Sequence, residues 1–368
     1  MKKTTMLIVC VFLSASFLIP LSPAEAAHRT IIVPDDFASI NAAIENANDG
    51  DTIFVRNGTY HENVRLTKAV KLVGEDNQET RVDGNADEGY WVPMAVKSDN
   101  AVVSNLNLCN SHAGLQLGTV KNCTVAGNRI VANGFGIEIS WSSTNNTITG
   151  NVIASNGQGI EIKGVTDNLI YGNEILFNTI GLYLDQQSQN NSLVGNMIDK
   201  NQEAIRIRFS WDNTFTNNTI MNTVENAVTV GFANNNTFRH NNFINNTKDY
   251  YDGGESVDMP PYYVGYTSEN VFSENYWSVY AGGDYDVDGK GDAQHVVYKQ
   301  NVDLTPLISP VAFAELAVVP VDVFPAGTSS KSWIPEFWII PSIAVAATVG
   351  VAAGLLQIRK RRKEAQQT

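Results

Sequence analysis

The sequence predicts an all-β fold, a single-stranded right-handed parallel β-helix whose coils each take about 22 to 23 residues. An Asn that closes a Gly-Asn or Asn-Asn pair recurs at nearly constant intervals, at Asn128, Asn151, Asn173, Asn196, Asn218 and Asn242. A second Asn series keeps the same spacing, at Asn146, Asn168, Asn191, Asn213 and Asn236. Each period also contains an alternating apolar triplet such as Ile137-x-Ile139, which is typical of a strand with one inward face.

The length of the period favours a solenoid. A βαβ unit needs roughly 30 residues, so this repeat is too short for one. It fits two or three short strands joined by turns that Asn and Gly favour, because both tolerate left-handed backbone angles. Coils stacked about 4.8 Å apart would bury a column of Ile, Leu and Val, and their Asn side chains would hydrogen-bond between coils.

The N-terminal 27 residues are typical of a secretory signal peptide. Lys2 and Lys3 precede an apolar stretch, and the Ala-Glu-Ala at 24–26 supplies a small-residue cleavage site. The alternative is an uncleaved anchor. The segment 35–44 has the apolar spacing of a short helix with acidic residues in its first turn, and we expect this helix to cap the first coil.

The C-terminal end is predicted to anchor the chain in a membrane. The run 337–358 has 22 residues without a charge, which is enough to cross a bilayer, and five basic residues follow it at 359–363. Because basic residues stay cytoplasmic, the tail 359–368 is predicted to lie inside the cell and the β-helix outside. The predicted transmembrane helix spans 333–358, and the Pro-containing stretch 309–332 is interpreted as a linker.

Two departures from the repeat lie within the predicted β-helix domain, 28–308. The segment 247–269 is rich in Tyr, Gly and Pro and is interpreted as an insertion. One more coil is predicted after it, at 270–277, and an Asp-rich loop follows at 284–292.

The charge balance restricts the partners. The signal carries a net charge of +1 and the tail +4, so the body between them is at −18 where the whole chain is at −13. Such a surface repels polyanions, which makes nucleic acid a poor partner, and it attracts divalent cations. Only Cys109 and Cys123 remain in the body, which leaves room for one disulfide and not for a disulfide framework.

Several segments resemble the NosD-like β-helix family, within the wider group of carbohydrate-binding and sugar-hydrolase repeat domains. They are the opening motifs IIVPDD (31–36), DGDTI (49–53) and GTYHENV (58–64), and the closing motifs ENYWS (274–278) and NVD (301–303). The resemblance covers about residues 30–310 and implies the parallel β-helix fold. It does not imply one activity, because this fold carries lyases, epimerases, hydrolases and binding modules. The surface-anchored architecture resembles that of exported archaeal proteins.

NosD itself is associated with maturation of the copper site of nitrous-oxide reductase, so the resemblance raises the question of copper ligands. The body has five scattered His, at His28, His61, His112, His240 and His295. Soft copper ligation needs clustered His, Met or Cys, and the body has no Met or Cys cluster beside these His. A NosD-like role in metal maturation is therefore disfavoured.

The Asp-rich loop has the spacing of a calcium-binding loop, D-x-D-x-D-G-x-x-D. Its predicted ligands are Asp284, Asp286, Asp288 and Asp292. Alternate acids place carboxylates around one ion, and the Gly allows the sharp turn. The bidentate Glu of an EF-hand is missing, so we predict an isolated structural Ca²⁺ site, with a solvated acidic turn as the alternative.

The outward positions of the triplet strand supply the candidate catalytic residues. Glu138, Glu161, Asp185, Arg206 and Arg208 are predicted to gather on one face, because equivalent positions are neighbours in a parallel stack. Lys163 and Tyr183 lie among them and are predicted to bind substrate. This face resembles that of β-helix lyases, in which carboxylates hold Ca²⁺ on an acidic substrate and a Lys or Arg removes the proton. Hydrolases instead need two acids at a defined separation. The alternative is a solvated surface of alternating charge.

Aromatic residues are concentrated in the C-terminal third of the body, where nine of the 13 Tyr fall between Tyr250 and Tyr298. Amphipathic rings suit sugar stacking and hydrogen bonding, so Tyr262, Tyr263 and Trp277 are further predicted substrate-binding residues. The alternative is a plug that covers the last coil.

Seven N-x-S/T sequons occur in the chain, and on an exported protein they are potential glycosylation sites. They lie at Asn57, Asn122, Asn145, Asn190, Asn217, Asn235 and Asn245. The repeat itself demands Asn and Thr at its turns, so some matches are expected by chance.

Three functions remain open from the sequence. The first is a membrane-anchored surface protein that binds a polysaccharide or cell-envelope glycan without catalysis. The second is a polysaccharide lyase or glycoside hydrolase that uses the charged strand face. The third, disfavoured for lack of ligands, is a NosD-like copper-maturation factor.

Overall fold

The computed structural model describes residues 28–84, 92–252, 269–298 and 301–312. In chain order the elements are β1 (Thr30–Val33), α1 (Ile40–Asn46), β2 (Thr52–Val55), β3 (Gly58–Tyr60), β4 (Val64–Leu66), β5 (Lys71–Gly74), β6 (Thr80–Asp83), β7 (Met94–Val96), β8 (Val102–Ser104), β9 (Asn107–Gly118), β10 (Thr124–Ala126), β11 (Arg129–Ser140), β12 (Thr147–Thr149), β13 (Val152–Ala154), β14 (Gln158–Lys163), β15 (Leu169–Tyr171), β16 (Glu174–Leu176), β17 (Ile180–Asp185), β18 (Ser192–Val194), β19 (Met197–Asp199), β20 (Glu203–Arg208), β21 (Thr214–Thr216), β22 (Thr219–Met221), β23 (Asn226–Gly231), β24 (Thr237–Arg239), β25 (Asn242–Ile244), β26 (Lys248–Asp252), β27 (Val271–Ser273), β28 (Tyr276–Trp277), β29 (His295–Tyr298) and β30 (Asn301–Asp303).

These strands wind into a parallel β-solenoid of about nine turns with three faces. The first face stacks β1, β2, β5, β8, β10, β12, β15, β18, β21, β24, β27 and β30. The second face stacks β3, β6, β13, β16, β19, β22, β25 and β28, and the third stacks β4, β7, β14, β17, β20, β23 and β26. The long strands β9 and β11 run from the second face into the third, so they belong to both.

The inner surface of the third face carries the apolar triplets predicted from the sequence. Ile137, Ile160, Leu182 and Ile205 pair in register from coil to coil, and all four are fully buried. They form one vertical inner row, as the repeat predicts. Buried side chains from all three faces join in one large hydrophobic core, and a small separate cluster contains Val92, Ala95 and Ala113.

Buried Asn side chains form a hydrogen-bonded ladder at each corner of the solenoid. The ladder between the first and second faces contains Asn128, Asn151, Asn173, Asn196, Asn218, Asn241 and Asn275. The ladder between the third and first faces contains Asn146, Asn168, Asn191, Asn213, Asn236 and Asn270. The ladder between the second and third faces contains Asn133, Asn156, Asn178 and Asn201. In each ladder the backbone N–H and side-chain Nδ2 of one Asn donate to Oδ1 of the Asn in the next coil, as between Asn151 and Asn173 (both 3.0 Å).

One ladder position differs from the prediction. The ladder Asn of each coil lies two residues before a side chain that points into the core. In the coil of β25 that side chain is Phe243, so the ladder residue is Asn241 and not the predicted Asn242. Asn242 starts β25 and points away from the ladder.

The N-terminal helix caps the solenoid but starts later than predicted. Residues 35–36 form a turn, in which the Asp36 carboxylate accepts from the backbone N–H of Ile32 (2.7 Å). Helix α1 starts after Ser39, whose Oγ accepts from the Ala42 N–H (3.2 Å). Ser39 is thus a suitable N-cap, and no acidic residue lies in the first turn. Buried residues of α1 join the core beside β1, β2 and β4.

The far end of the solenoid is closed by a coil and an antiparallel pair of strands. Strands β27 and β28 form the coil predicted at 270–277, and β30 adds to β27 in parallel while β29 pairs with β30 antiparallel. The segment interpreted as an insertion begins with β26, which stacks on β23. Residues 253–268 of that segment lie outside the described residues.

Glu274 ties the last coil to the Asp-rich loop. Its carboxylate accepts from Arg239, from His240 Nε2 (2.7 Å) and from Lys290 Nζ (2.7 Å). The hydrogen bonds from Lys290 and Arg239 lower the pKa of Glu274 to about 2.

A folded-state pKa below the unfolded value means that this carboxylate stabilises the fold above the unfolded pKa and loses its effect as the pH falls. We therefore expect Glu274→Gln to lower the free energy of unfolding, with its full effect above pH 4.5. The difference in this free energy between variant and wild type should shrink toward pH 2. Urea denaturation of both proteins across this range measures it. A difference that stays constant with pH would contradict the charge-based explanation.

Among the described residues the single helix is α1, whose seven residues are too few to cross a membrane. The predicted signal peptide, 1–27, and the predicted transmembrane helix, 333–358, lie outside the described residues. The chain divides into two compact units, Met1–Val323 and Phe324–Thr368, and the whole of the second unit lies outside the described residues.

Candidate functional site

The outward side chains of the third face form a strip of polar residues, which we call the polar strip. Its first row contains Gln116, Glu138, Glu161, Tyr183 and Arg206, one from each successive coil. Its second row, two residues later in each strand, contains Gly118, Ser140, Lys163, Asp185 and Arg208. All five predicted catalytic residues, with Lys163 and Tyr183, therefore lie in two rows on four consecutive coils.

The polar strip is not the solvated surface that alternating charge usually indicates. Glu138 is 9 % exposed and Glu161 is 3 % exposed, although both point away from the core. The two lie in register on adjacent coils, about 4.8 Å apart along the stack. Buried like charges at this spacing are unfavourable unless each has a partner.

Each of these two carboxylates has a different partner. Gln116 Nε2 donates to Glu138 Oε2 (3.0 Å), and Lys163 Nζ forms an ion pair with Glu161 Oε1 (2.8 Å). Burial raises the pKa of Glu161, the Lys163 ammonium opposes this, and the nearby charges of Glu138 and Asp185 add to the increase. Burial lowers the pKa of Lys163, but the hydrogen-bonded ion pair with Glu161 opposes this, and the pKa is raised overall.

The next two coils form two further internal pairs. Tyr183 donates its hydroxyl to Asp185 Oδ2 (2.7 Å), and burial together with this hydrogen bond raises the pKa of Tyr183 to about 12. The Arg206 guanidinium makes two hydrogen bonds to the Glu203 carboxylate and lies 5.8 Å from the Tyr183 ring centroid. Sequence reasoning missed Glu203, whose signal was its position three residues before Arg206 on the same strand.

Arg208 and Asp185 are neighbours in the second row of the polar strip. Within the described part of the chain, no ion pair joins the two. The Arg208 guanidinium instead lies 5.6 Å from the ring centroid of Phe209, which stacks on Phe232 with centroids 5.4 Å apart. Aromatic rings therefore border the strip beside Arg208.

An exposed tryptophan borders the other end of the polar strip. Trp141 directly follows Ser140 and is 61 % exposed. Lys97 Nζ lies 5.7 Å from its ring centroid, and Gly118 lies beneath both groups. A Cβ added at Gly118 would come within 3.1 Å of the Trp141 ring and 3.2 Å of Lys97 Nζ, so glycine lets the two groups pack closely against the strand. Sequence reasoning missed Trp141 because it lies in a turn just after the strand.

The buried hydroxyl of Ser140 has no hydrogen-bond partner among the described residues. It lies in register between Gly118 and Lys163, beside the Trp141 ring. An unpaired buried hydroxyl costs free energy. This end of the strip therefore has unused hydrogen-bonding capacity.

The engaged side chains restrict what the strip can do chemically. A proton-abstracting base must be deprotonated and free, whereas Lys163 is a protonated ion-pair partner and Tyr183 keeps its proton well above neutral pH. Arg206 is held by Glu203. Glu161, with its raised pKa, is the group best suited to carry a proton, and Glu138 is the acid next to it in the same row.

The predicted aromatic substrate-binding residues lie elsewhere. Trp277 is 1 % exposed, stacks on Phe243 (centroids 4.2 Å apart) and donates its Nε1 to Asp303 (3.1 Å). It belongs to the core of the last coil, as the plug alternative predicts, and its ring is not offered to a ligand. Tyr262 and Tyr263 lie outside the described residues.

The Asp-rich loop brings three of its four predicted ligands together. Carboxylate oxygens of Asp284, Asp286 and Asp292 all lie within 4.8 Å of one another. Asp288 is not part of this group. Its carboxylate accepts from the backbone N–H of Lys290 (2.8 Å). Gly289 takes a φ of +88°, the left-handed angle that the turn needs.

Soft metal donors are dispersed in the described structure. His240 is bonded to Glu274, and His295 is half-buried against Trp277. Cys109 and Cys123 are both buried and unbridged, and burial raises the pKa of Cys109 to about 11. The Asp triad is the one group of metal-ligating His, Cys, Asp or Glu among the residues described.

Solved structures of polysaccharide-acting enzymes are similar to this chain in fold. The alginate lyase of Paenibacillus sp. str. FPU-7 aligns with a TM-score of 0.52 and 15 % identity, over 66 % of this chain and 97 % of that one. The mannuronan C-5 epimerase AlgE4 A-module of Azotobacter vinelandii gives 0.43 and 15 %, over 66 % and 91 %. Pectate lyase Pel9A gives 0.45 and 12 %, over 63 % and 78 %. No curated protein sequence matches the chain.

A family model described as periplasmic copper-binding protein (NosD) matches residues 44–282. The donors that the structure describes do not fit copper, because carboxylates form the one ligand cluster and the His and Cys residues are dispersed. Family membership therefore rests on the repeat and the fold and not on a copper site. The matched segment covers more than half of the sequence, and the chain belongs to the NosD family.

Proposed function

We propose that this protein binds carbohydrate along the polar strip, outside the cell, without catalysing a reaction on it. The observation that carries the proposal is the set of paired, partly buried polar side chains beside an exposed Trp141. Polar groups held in fixed positions next to an aromatic ring are what a sugar-binding face requires, because the ring stacks on a sugar and the fixed groups hydrogen-bond its hydroxyls.

The charges of the strip favour a neutral glycan. Lys163 is neutralised by Glu161 and Arg206 by Glu203, and the body as a whole is strongly acidic. A polyanionic chain would be repelled over most of this surface. The fold that this chain shares with the Paenibacillus alginate lyase supports a carbohydrate ligand as a class.

Removing the exposed ring tests the proposal. We expect Trp141→Ala to weaken binding of neutral oligosaccharides to the full-length protein by about tenfold or more, which corresponds to about 1.4 kcal/mol of lost stacking. Isothermal titration calorimetry against a panel of neutral and uronate oligosaccharides measures the affinity. Tyr285→Ala is the matched control, because Tyr285 is 88 % exposed but lies in the Asp-rich loop, away from the polar strip. Equal affinities in wild type and Trp141→Ala would overturn the assignment.

The alternative is a lyase or hydrolase, and Glu161 is the observation that favours it. Burial raises the pKa of Glu161, and Glu138 lies next to it in the same row, so the strip contains two adjacent acids. Incubation of the same oligosaccharides with wild type and Glu161→Gln separates the two functions. New reducing ends or unsaturated sugars that vanish in Glu161→Gln would establish the enzyme and exclude pure binding.

We further propose that the solenoid is exported and held at the membrane by the C-terminal segment 333–358. The periplasmic description of the family agrees with an exported domain. Protease added to cells from which any outer membrane has been removed is expected to digest the solenoid while leaving a cytoplasmic marker intact. Protection of the solenoid in these cells would contradict export.

We also propose that the Asp-rich loop binds a structural Ca²⁺ through Asp284, Asp286 and Asp292, whose carboxylates converge. Ca²⁺ at 100 times its dissociation constant is expected to stabilise the fold by about 2.7 kcal/mol. Asp292→Asn should abolish this effect, whereas Asp288→Asn should keep it, because the Asp288 carboxylate lies outside the converging group. Thermal denaturation with CaCl₂ or EDTA measures it, and no response of wild type to Ca²⁺ would contradict the site.

A further inference from the structure

The structure divides the Asn residues of the repeat into two classes. Asn residues of the three ladders are buried, whereas all seven sequon Asn are exposed. In most coils the sequon Asn directly precedes a ladder Asn, as Asn145 precedes Asn146. The repeat therefore explains the ladder Asn, and the sequon Asn need a separate explanation.

Four of the seven sequons lie on a single edge, the turn between the third and first faces. The strands after this turn are in register, so the residues two positions before them form one vertical row. The row contains Asn100, Asn122, Asn145, Asp167, Asn190, Asp212 and Asn235, all with positive φ. At the other two corners the same left-handed backbone is adopted by Gly172, Phe177 and Lys200, so the backbone alone does not demand Asn.

From Asn145 onward this row alternates between Asn and Asp. Asn145, Asn190 and Asn235 lie two coils apart, about 9.6 Å along the stack, with Asp167 and Asp212 between them. A glycan is too bulky for neighbouring coils about 4.8 Å apart, whereas alternate coils leave room for it.

The side-chain amides of these three Asn are also available to receive a sugar. Among the described residues no hydrogen bond engages their side chains, and the hydroxyl-bearing residues Thr147, Ser192 and Thr237 are half-buried and not enclosed. The sequons outside the alternating set differ in this respect.

Three of those sequons have an engaged amide or hydroxyl. Asn122 Nδ2 donates to Asn100 (3.2 Å), and Asn245 Nδ2 donates to Asn222 (2.9 Å). In the sequon that begins at Asn217, the hydroxyl belongs to Thr219, and this residue is buried (3 % exposed).

We propose that Asn145, Asn190 and Asn235 are N-glycosylation sites that place a glycan on every second coil along this edge. In the reaction Nδ2 gives a proton to a basic group of the glycosyltransferase and forms a bond to the anomeric carbon of an activated glycosyl phosphate or pyrophosphate donor. The C–O bond of the donor breaks, and its phosphate leaving group departs with the electron pair. The modification does not depend on the glycan-binding function of the polar strip.

Glycopeptide mass spectrometry of the full-length protein, isolated from the organism that makes it, tests the proposal. We expect glycan at Asn145, Asn190 and Asn235, and none at Asn122 in molecules that carry it at Asn145. Finding these three residues unmodified would overturn the proposal. Glycans on both Asn122 and Asn145 of one molecule would overturn the alternate spacing.

Matched variants made in the same organism distinguish the loss of the sequon from a change in the structure of the turn. Asn145→Asp reproduces the residue found at Asp167 and should remove the mass of one glycan without changing the thermal transition. Thr147→Val should remove the same glycan although Asn145 is still present, whereas Thr147→Ser should retain it. Persistence of the glycan in Thr147→Val would show that the sequon is not what the transferase recognises, and would contradict the proposal.

Discussion

Replacing Asn173 by alanine is expected to lower the free energy of unfolding by about 3–5 kcal/mol, because it interrupts a buried ladder in mid-column. Asn173 Oδ1 accepts from the backbone N–H of Asn151 (3.0 Å), and Asn173 Nδ2 donates to the carbonyl of Ile148 (2.9 Å). The substitution leaves both buried backbone groups unpaired, and each unpaired group costs about 1–3 kcal/mol. It also removes the side-chain donor to Asn196 Oδ1.

Urea denaturation of the full-length protein measures this loss. Asp212→Gly is the matched control, because Asp212 is exposed with a φ of +60° and Gly195 adopts the same left-handed angle at another corner. We expect the control to change stability by less than about 0.5 kcal/mol. Similar losses in the two variants would mean that the ladder hydrogen bonds contribute little.

Replacing Phe238 by alanine is expected to cost about 3–5 kcal/mol through the cavity that it leaves in the core. The ring is fully buried and lies in a stack, with centroids 4.5 Å from that of Phe215 and 4.8 Å from that of Phe272. Both neighbours lose a stacked partner, and each such pair contributes about 0.5–1.5 kcal/mol beyond area burial.

A surface pair of similar geometry provides the control. Phe209 and Phe232 stack in parallel with centroids 5.4 Å apart, but both are only half-buried. Phe209→Ala should therefore cost much less than Phe238→Ala, because water fills the space left at the surface. Equal losses of unfolding free energy would contradict the cavity explanation.

The sequence predicted the solenoid well because two of its signals are periodic. The ladders at two corners and the apolar triplets recur in nearly every coil, and the structure stacks them in register. The third ladder was not predicted from the sequence. It has Ser111 at one end and its Asn run only from Asn133 to Asn201, so the series has too few members to stand out in the sequence.

The composition of the polar strip was predictable, but its internal pairing was not. Parallel stacking places Glu138 beside Glu161 once the period is known. Whether Lys163 turns to Glu161 or to Asp185 depends on side-chain rotamers, which a repeat pattern does not specify. These pairings shield the carboxylates from water, and for that reason the strip is far less exposed than its charges indicate.

Directionality is a final property of the Asn columns. Every backbone amide of the ladder Asn in a column points its N–H toward the C-terminal coils, so the aligned dipoles leave the positive end of the column at that side. There the carboxylate of Asp303 accepts from the N–H and Nδ2 of Asn275 (2.9 and 3.1 Å). An anion at this position compensates the positive end of the summed amide dipoles. An Asp303→Asn variant would retain a hydrogen-bond acceptor for Asn275 but would lose the negative charge.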